Sequence, residues 1–422
     1  MKKILKVPLY IIIFVLVVIL SGVYIYFFTT LPETEVNNWL TGFAAKNYGL
    51  EISFAKVNRD IWNHLVLEGV EVTSRADNKT PIAYISRLEA NYDINKLIRQ
   101  DYRFSSIFLD SIYFRYPKGG LTIPEKPESK SKSKSISLSI DEISVATANI
   151  ILPNDEKIDL DSLQLSLALD KGKLKLLLDK FAADWGARHI KIPAIYAKLS
   201  SDSAGFVVDT LDVSTERSHI YLSGRVGKPL TENFDLKFVL SPINLEDIYD
   251  LTRVKLTGLL EARGSFKGAI DDFEGEALVD GSFFDKPFDN VNLLYAFSDK
   301  ALKFNSIKGD VFKARFDGSG KLDFTNKVES YAYDGSVNHL DLREIGPKLK
   351  TDFSGVIHLK GRGLGEKDLN MAIDANLHDV RIETYYFNEV SGPFQFDIKK
   401  INFLPGFKAR YKNTYLDAQG SL

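Results

Sequence analysis

The chain has 422 residues, 45% of them hydrophobic and 12% aromatic, with 54 Lys and Arg against 56 Asp and Glu. This aromatic and aliphatic content excludes a mainly disordered chain, and the net charge of −2 argues against a nucleic-acid binder. The chain has no cysteine, which excludes disulfides, thiolate metal sites and cysteine nucleophiles. At a typical ~150 residues per domain, the length predicts two or three domains.

An uncharged segment near the N-terminus predicts a membrane anchor. Residues 8–28 carry no charge, and as a helix they would span the ~30 Å hydrocarbon core of a bilayer. Lys2, Lys3 and Lys6 precede the segment and acidic residues follow it, so the positive-inside rule puts residues 1–7 in the cytoplasm and the rest across the membrane. The alternative is a cleaved signal peptide, which normally has a shorter apolar run and small residues at its end.

A short amphipathic helix is predicted at residues 31–49. Val36, Trp39 and Phe43 lie at helical spacing, and Gly49 is placed to end the helix. We expect this helix to cap the end of a sheet. The alternative is a helix on the membrane surface, but the segment lacks the basic residues that such a helix usually carries.

From Leu50 onward the sequence alternates with a period of two, which predicts half-buried antiparallel strands. The clearest alternating runs are 163–169, 234–240, 312–324, 369–373 and 394–398. Interior helices are expected only at 94–100, 245–251 and 342–345. Because no long amphipathic helix is available to cover the apolar faces, the sheet either closes as a sandwich or barrel, or curls into a trough with an apolar inner surface.

The C-terminal half contains an internal repeat. Residues 231–241 align with 328–338 at an offset of 97, and Gly258 aligns with Gly355 at the same offset. Glycines within strands indicate bulges or bends, and stacked repeats form an elongated body. We therefore predict a mostly β fold. It is an elongated, curled antiparallel sheet (a taco-like β-groove) of tandem repeats with short helices, preceded by one N-terminal transmembrane helix.

The predicted organisation has eight segments. They are a cytoplasmic N-terminus at 1–7, a transmembrane signal anchor at 8–28, the amphipathic helix at 31–49, an N-terminal β-groove segment at 50–117, a disordered Ser/Lys/Pro linker at 118–135, a β-groove segment at 136–223, β repeat 1 at 224–320 and β repeat 2 at 321–422. Because the last residues match the middle of a repeat strand, we expect the chain to be part of a longer polypeptide.

The sequence contains no catalytic pattern. HExxH, GxSxG and P-loop patterns are missing, and the six histidines are isolated from one another. We therefore predict that the protein is not an enzyme and holds no metal and no cofactor. The candidate functional residues are apolar positions expected to line a lipid groove: Leu165, Leu167, Phe234, Leu236, Phe238, Leu293, Tyr295, Phe297, Phe312, Phe316, Leu322, Phe324, Met371, Ile373, Phe394 and Phe396.

The order of elements carries a family resemblance. After the anchor and the helix come LEISF at 50–54, LVLEGVEV at 65–72, ISRLEANYD at 85–93, a short helix at 94–97 and IFLDSI at 107–112, followed by the glycine-rich strand repeats. This order resembles the N-terminal portion of TamB and other AsmA-like envelope proteins of diderm bacteria. The resemblance implies a repeating β-groove of the bridge-like lipid-transfer type, anchored in the inner membrane with most of its mass in the periplasm. It also implies an Omp85-type outer-membrane partner, which would bind through a C-terminal part not contained in these residues.

Two functions remain open at this point. The first is a lipid-transfer protein whose groove leads phospholipid acyl chains toward the outer membrane, with each buried CH₂ contributing ~0.8 kcal/mol. The second is a structural scaffold for outer-membrane protein assembly, with apolar faces packed against each other in closed sandwiches. The two differ in whether the apolar faces pair off, and neither involves nucleic acid.

Overall fold

The computed structural model describes residues 50–60, 63–74, 77–93, 95–96, 99, 101–116, 137–170, 173–202, 204–227, 233–247, 257–283, 286–326, 328–341, 343, 350–363, 370–397 and 400–421. The predicted anchor at 8–28, the predicted helix at 31–49 and the predicted linker at 118–135 lie outside them. None of the helical residues described belongs to a helix with the length and apolar content of a membrane span. The chain divides into unit 1, Met1–Glu216, and unit 2, Arg217–Leu422.

The described part of unit 1 is a sheet of twelve strands. They are β1 (Leu50–Ser53), β2 (Lys56–Asp60), β3 (His64–Ser74), β4 (Asp77–Tyr92), β5 (Tyr102–Arg115), β6 (Leu138–Val145), β7 (Ala148–Ile151), β8 (Lys157–Asp170), β9 (Lys173–Trp185), β10 (Ile190–Ile192), β11 (Ala194–Ser201) and β12 (Gly205–Ser214), with a 3-10 turn at Gly186–Arg188. Most neighbours pair antiparallel, as the period of two predicts.

One part of unit 1 departs from the predicted antiparallel arrangement. β5 pairs in parallel with both β6 and β7. The chain between Arg115 and Leu138 provides the long connection that a parallel pair requires, whereas a hairpin turn permits only antiparallel pairing. An alternating pattern specifies which side chains share a face, but it does not specify the direction of the neighbouring strand.

The apolar side chains of unit 1 form a packed core. Ile85, Leu88, Phe104 and Ile107 are at most 1% exposed, and the ring of Tyr92 meets the ring of Phe104 edge-on at 6.2 Å. The core continues through β6 and β8 to β9. In this unit the apolar face of the sheet is therefore largely withdrawn from water.

The described part of unit 2 has fifteen strands. They are β13 (His219–Gly227), β14 (Phe234–Asn244), β15 (Leu259–Ala269), β16 (Asp272–Phe283), β17 (Lys286–Ser298), β18 (Ala301–Val311), β19 (Ala314–Asp323), β20 (Ser330–Leu340), β21 (Thr351–Arg362), β22 (Asn370–Ile382), β23 (Tyr385–Asp397), β24 (Ile401–Phe403), β25 (Lys408–Tyr411), β26 (Thr414–Asp417) and β27 (Gly420–Ser421). From β13 to β23 every strand pairs antiparallel with the next one in sequence. β23 then pairs with both β24 and β25.

The predicted single strand at 312–324 is wrong. Phe312 and Lys313 have φ values of +53° and +62° and form the turn of a hairpin between β18 and β19. Two consecutive residues with positive φ are typical of a type I′ turn, which joins twisted antiparallel strands tightly. Apolar and polar residues alternate through the turn as well, so the pattern does not distinguish this hairpin from one continuous strand.

The predicted short helices are only partly within the described residues. Residues 95–96 and 245–247 are helical, and residue 343 is in a 3-10 turn; the rest of 94–100, 245–251 and 342–345 lies outside the described part, apart from residue 99, which is in a turn. Strand order in the two predicted repeats corresponds: β14 begins at Phe234 and β20 at Ser330, while β16 begins at Asp272 and β22 at Asn370. The predicted repeat boundary at 320/321 falls inside β19, and the assignment of repeats stays a prediction.

Candidate apolar binding face

Unit 2 carries one continuous apolar face, which can be followed through its cross-strand pairs. Directly opposed residues in a ladder point to the same side of the sheet, so the register assigns each side chain to a face. We call the middle line of this face the central row. It runs from β14 to β24 through Leu236, Phe266, Gly275, Tyr295, Phe304, Gly320, Tyr333, Leu359, Ile373, Phe394 and Phe403.

The central row is uninterrupted across eleven described strands. At ~4.8 Å between strands, it covers roughly 48 Å of sheet. None of its residues is charged. The row on one side begins with Phe238, Gly264, Ala277 and Leu293, and the row on the other side begins with Phe234, Gly268, Phe273 and Phe297. These flanking rows continue without a charged residue to Gly392 and to Ile401, respectively.

Aromatic rings lie against glycines on this face. A β-carbon at Gly264 would come within 2.9 Å of the Phe238 ring, and one at Gly275 would come within 2.8 Å of the Tyr295 ring. Each glycine is the direct cross-strand partner of the ring above it. A ring that covers bare backbone in this way supports a strand that glycine alone would weaken. The glycines therefore leave room on this face for the aromatic rings of the neighbouring strands.

The apolar face is only half buried. Along the central row Leu236 is buried, at 6% exposure, whereas the other side chains of the row are intermediate. The helical residues of unit 2 within the described part are confined to 245–247 and 343, so the described chain has no helix to cover this surface. The buried apolar residues of unit 2 lie mainly beside this row, in one cluster that includes Val337, Leu340 and Leu377 and a smaller one of Ala262, Val279 and Val291.

A cavity of about 260 Å³ opens on the apolar face in the second half of unit 2. Phe316 on β19 lines it together with Phe394 on β23, Phe403 on β24 and Phe407 just before β25. The Phe394 and Phe407 rings meet edge-on at 6.2 Å. Thr351 is the one polar residue of its lining, and its hydroxyl donates a hydrogen bond to the Leu340 carbonyl at 3.3 Å. The lining thus offers no polar group to a ligand.

The opposite face of the same strands is polar and charged. Lys308 pairs with Asp317 at 3.3 Å, and His358 pairs with Asp334 at 2.7 Å. Both pairs join neighbouring strands across the ladder. The described residues contain no group of three or more His, Asp or Glu side chains placed to hold a metal ion. We therefore regard this face as the solvated side of the sheet.

The structure brings most of the predicted groove residues onto one face. Those on the three rows are Phe234, Leu236, Phe238, Leu293, Tyr295, Phe297, Leu322, Met371, Ile373, Phe394 and Phe396. Phe316 lies one register position beyond them, opposite Val337. Phe312 lies in the hairpin turn, yet it also lines the cavity.

Three predicted residues lie elsewhere. Leu165 and Leu167 belong to the core of unit 1, with 3% and 6% exposure. Phe324 follows the end of β19 and is 39% exposed, because the turn at 312–313 starts a new strand that ends at Asp323.

Several residues of the face were not predicted, although the sequence held a signal for them. Phe266 and Phe273 extend the apolar face across β15 and β16, and their rings lie 5.7 Å apart. Phe266 lies between Ser265 and Lys267 in a run that also contains Gly264 and Gly268. Counting glycine as an apolar position in the period of two would have identified this strand.

Comparisons with protein-family models, with curated proteins and with solved structures give no match. The features of this chain that bear on its function are therefore the apolar face and its cavity.

Proposed function

We propose that the apolar face of unit 2 binds the acyl chains of phospholipids and lets them move along the sheet. The protein would then be a lipid-transfer protein of the TamB and AsmA-like type. The observation that carries this proposal is the central row, an uncharged and half-buried line of side chains across eleven described strands.

The chemistry of the face favours an acyl chain over a peptide. A peptide buried in the cavity would leave amide groups without hydrogen-bond partners, which costs roughly 1–3 kcal/mol for each group. An acyl chain needs only apolar volume, and each CH₂ withdrawn from water contributes ~0.8 kcal/mol. The cavity beside Phe316 and Phe394 provides such volume.

The cavity also favours a curled, trough-like sheet rather than a flat one. A flat arrangement would separate β19 from β23 by roughly 19 Å at ~4.8 Å per strand. Phe316 and Phe394 nevertheless line the same cavity, which is expected when the sheet curls around it. A curled sheet with one open seam would hold acyl chains inside and leave phospholipid headgroups in water.

The uniformity of the face suits movement better than tight binding. Along the central row, a sliding acyl chain meets aromatic, aliphatic and glycine positions only. No single position offers a polar contact that would have to be broken before the next is made. With the predicted anchor at 8–28 in the inner membrane and unit 2 in the periplasm, such a track would lead phospholipids toward the outer membrane.

Unit 1 fits the alternative function better. Its predicted groove residues Leu165 and Leu167 are buried in a core, as expected of a structural scaffold, whereas the central row of unit 2 is mostly half-buried. We therefore assign the acyl track to unit 2 and a supporting role to unit 1. An Omp85-type partner remains an expectation from the family resemblance.

Site-specific photo-crosslinking in cells tests the proposal. A photoreactive amino acid at Phe316 or Phe394, on the apolar face, should capture phospholipid. The matched controls are Arg315 and Gln395, which are adjacent in sequence, exposed and on the opposite face. Equal capture at both members of a pair, or capture of protein alone at Phe316, would contradict the proposal.

A further inference from the structure

The polar face of unit 2 holds a second concavity, of about 400 Å³, between β19 and β22. Two rows of cross-strand partners cross it. One row is Lys321, Ala332, Lys360 and Ala372, and the other contains Asp323 and Arg362. These rows lie on the opposite side of the sheet from the central row, since they are offset from it by one residue on each strand.

The shape of the concavity follows from the order of large and small residues. Ala332 separates Lys321 from Lys360, and Ala372 follows Lys360 on the next strand. Two strand spacings put the backbones of the two lysines roughly 10 Å apart. The alanines therefore form a low floor between long cationic side chains, and the floor is wide enough for a small polar group.

The charges that line the concavity are not balanced. Lys321 donates to Asp323 at 2.7 Å, and Thr325 donates to the same carboxylate from its amide at 3.0 Å. Asp323 and Lys321 thus neutralise each other. The side chains of Lys360 and Arg362 are exposed and form no ion pair or hydrogen bond with any residue of the described chain. The lining therefore carries two uncompensated positive charges.

We propose that this concavity binds a phosphate group through Lys360 and Arg362. The guanidinium group presents a planar fork that matches two oxygens of a phosphate, and the neighbouring ammonium adds a point charge. Arg362 and Lys360 are two positions apart on β21 and face the same side, so both reach one anion above the alanine floor. Lys321 borders the site from the other side. The proposal concerns the polar face and does not depend on lipid binding by the apolar face.

A phosphate group could come from a free phosphate ester or from a phospholipid headgroup, so the test has two arms. The first measures binding of inorganic phosphate to the whole protein by isothermal titration calorimetry. The second measures how much phosphatidylglycerol increases flotation of the protein over vesicles of phosphatidylcholine alone, because the predicted anchor at 8–28 and the apolar face would bind vesicles of either composition. The test variant is Lys360→Gln/Arg362→Gln. The control is Lys237→Gln/Lys267→Gln, which removes the same charge from exposed positions of β14 and β15.

The test variant should weaken phosphate binding by about tenfold or more, as expected for the loss of charge-assisted hydrogen bonds, while the control keeps the wild-type affinity. Phosphate binding without an increase of flotation by phosphatidylglycerol would identify a free ester as the source, and an increase that the test variant loses and the control keeps would identify a headgroup. Equal binding by the test and control variants in both arms, or no saturable binding of either probe, would overturn the proposal.

Discussion

The ring of Tyr331 lies against the bare backbone of Gly361, so that a β-carbon at residue 361 would come within 2.3 Å of two ring carbons. The two residues face each other across β20 and β21. The ring fills the space that a side chain at residue 361 would occupy. The Tyr331 ring on the neighbouring strand therefore requires glycine at this position. The backbone of Gly361 is extended, as in any strand residue, so backbone strain does not explain the glycine.

Gly361→Ala should destabilise unit 2 by about 1–3 kcal/mol, the usual cost of forcing an extra carbon into packed surroundings. Urea unfolding followed by tyrosine fluorescence measures the change. Gly186→Ala is the control, because the nearest atom to its added carbon would be 3.9 Å away. An unchanged midpoint for Gly361→Ala would show that the Tyr331 ring does not occupy this position.

Two tyrosine hydroxyls on the apolar face differ in their partners, and this difference can be measured. The Tyr295 hydroxyl donates to the Ser265 carbonyl at 3.0 Å, whereas the buried Tyr331 hydroxyl has no hydrogen-bond partner among the residues that the structure describes. Tyr295→Phe should cost about 1 kcal/mol, while Tyr331→Phe should be neutral or slightly stabilising. The reverse order in urea unfolding would be inconsistent with these contacts.

Stability should fall in alkaline solution. Burial raises the pKa of Tyr295, Tyr331 and Tyr333 from 10.0 to about 12. Between these values the unfolded chain has lost phenolic protons that the folded chain retains, so the free energy of unfolding decreases as the pH rises above 10. Urea midpoints between pH 9 and pH 12 measure the slope. Tyr331→Phe should make it shallower, and an identical slope would count against the burial of this hydroxyl.

A buried polar cluster joins the helical residues 245–247 to the segment just before β13. The Ser218 hydroxyl donates to the Asp247 carboxylate at 2.5 Å and accepts from the Asn244 amide at 2.9 Å. Arg217 pairs with the same carboxylate and, at 2.7 Å, with the exposed Glu246. Ser218→Ala should cost about 1–3 kcal/mol because it removes the hydroxyl that bonds the Asp247 carboxylate and the Asn244 backbone amide in a buried setting.

Glu246→Ala provides the matched comparison for this cluster. It removes an exposed partner of Arg217, so its effect should stay within about 1 kcal/mol. The midpoint temperatures of thermal unfolding of Ser218→Ala and Glu246→Ala measure the two effects. Equal losses of stability in the two variants would contradict a larger contribution from the buried Ser218 than from the exposed Glu246.

Phe316→Arg should reduce phospholipid capture by a photo-crosslinker at Phe394, because a charged side chain in the cavity lining opposes an acyl chain. Arg315→Gln, which changes the adjacent residue on the polar face, should leave capture unchanged. Circular dichroism and urea unfolding establish whether each variant is folded. If Phe316→Arg fails to fold, Phe316→Ala enlarges the cavity and should preserve capture. Undiminished capture in a folded Phe316→Arg protein would contradict an acyl track through this cavity.

The sequence predicted the faces of the sheet better than its connections. Alternation alone assigned Leu236 and Phe394 to apolar faces, because side-chain direction along a strand is a local property. It did not reveal the turn at Phe312, since the alternation continues through it. The parallel pairing of β5 and the joining of Phe316 with Phe394 in one cavity depend on strand direction and on the arrangement of strands that are far apart in the sequence. Neither is encoded in the order of polar and apolar residues.

The sequential strand pairing of unit 2 favours folding of the chain during its synthesis. Every strand from β13 to β23 finds its partner in the next segment of chain, so each pairing closes a short loop and costs little chain entropy. Hairpins are able to form in order as the polypeptide emerges, each using the previous strand as a template. Folding by successive addition would protect a chain this rich in exposed apolar strands from pairing with its neighbours during synthesis.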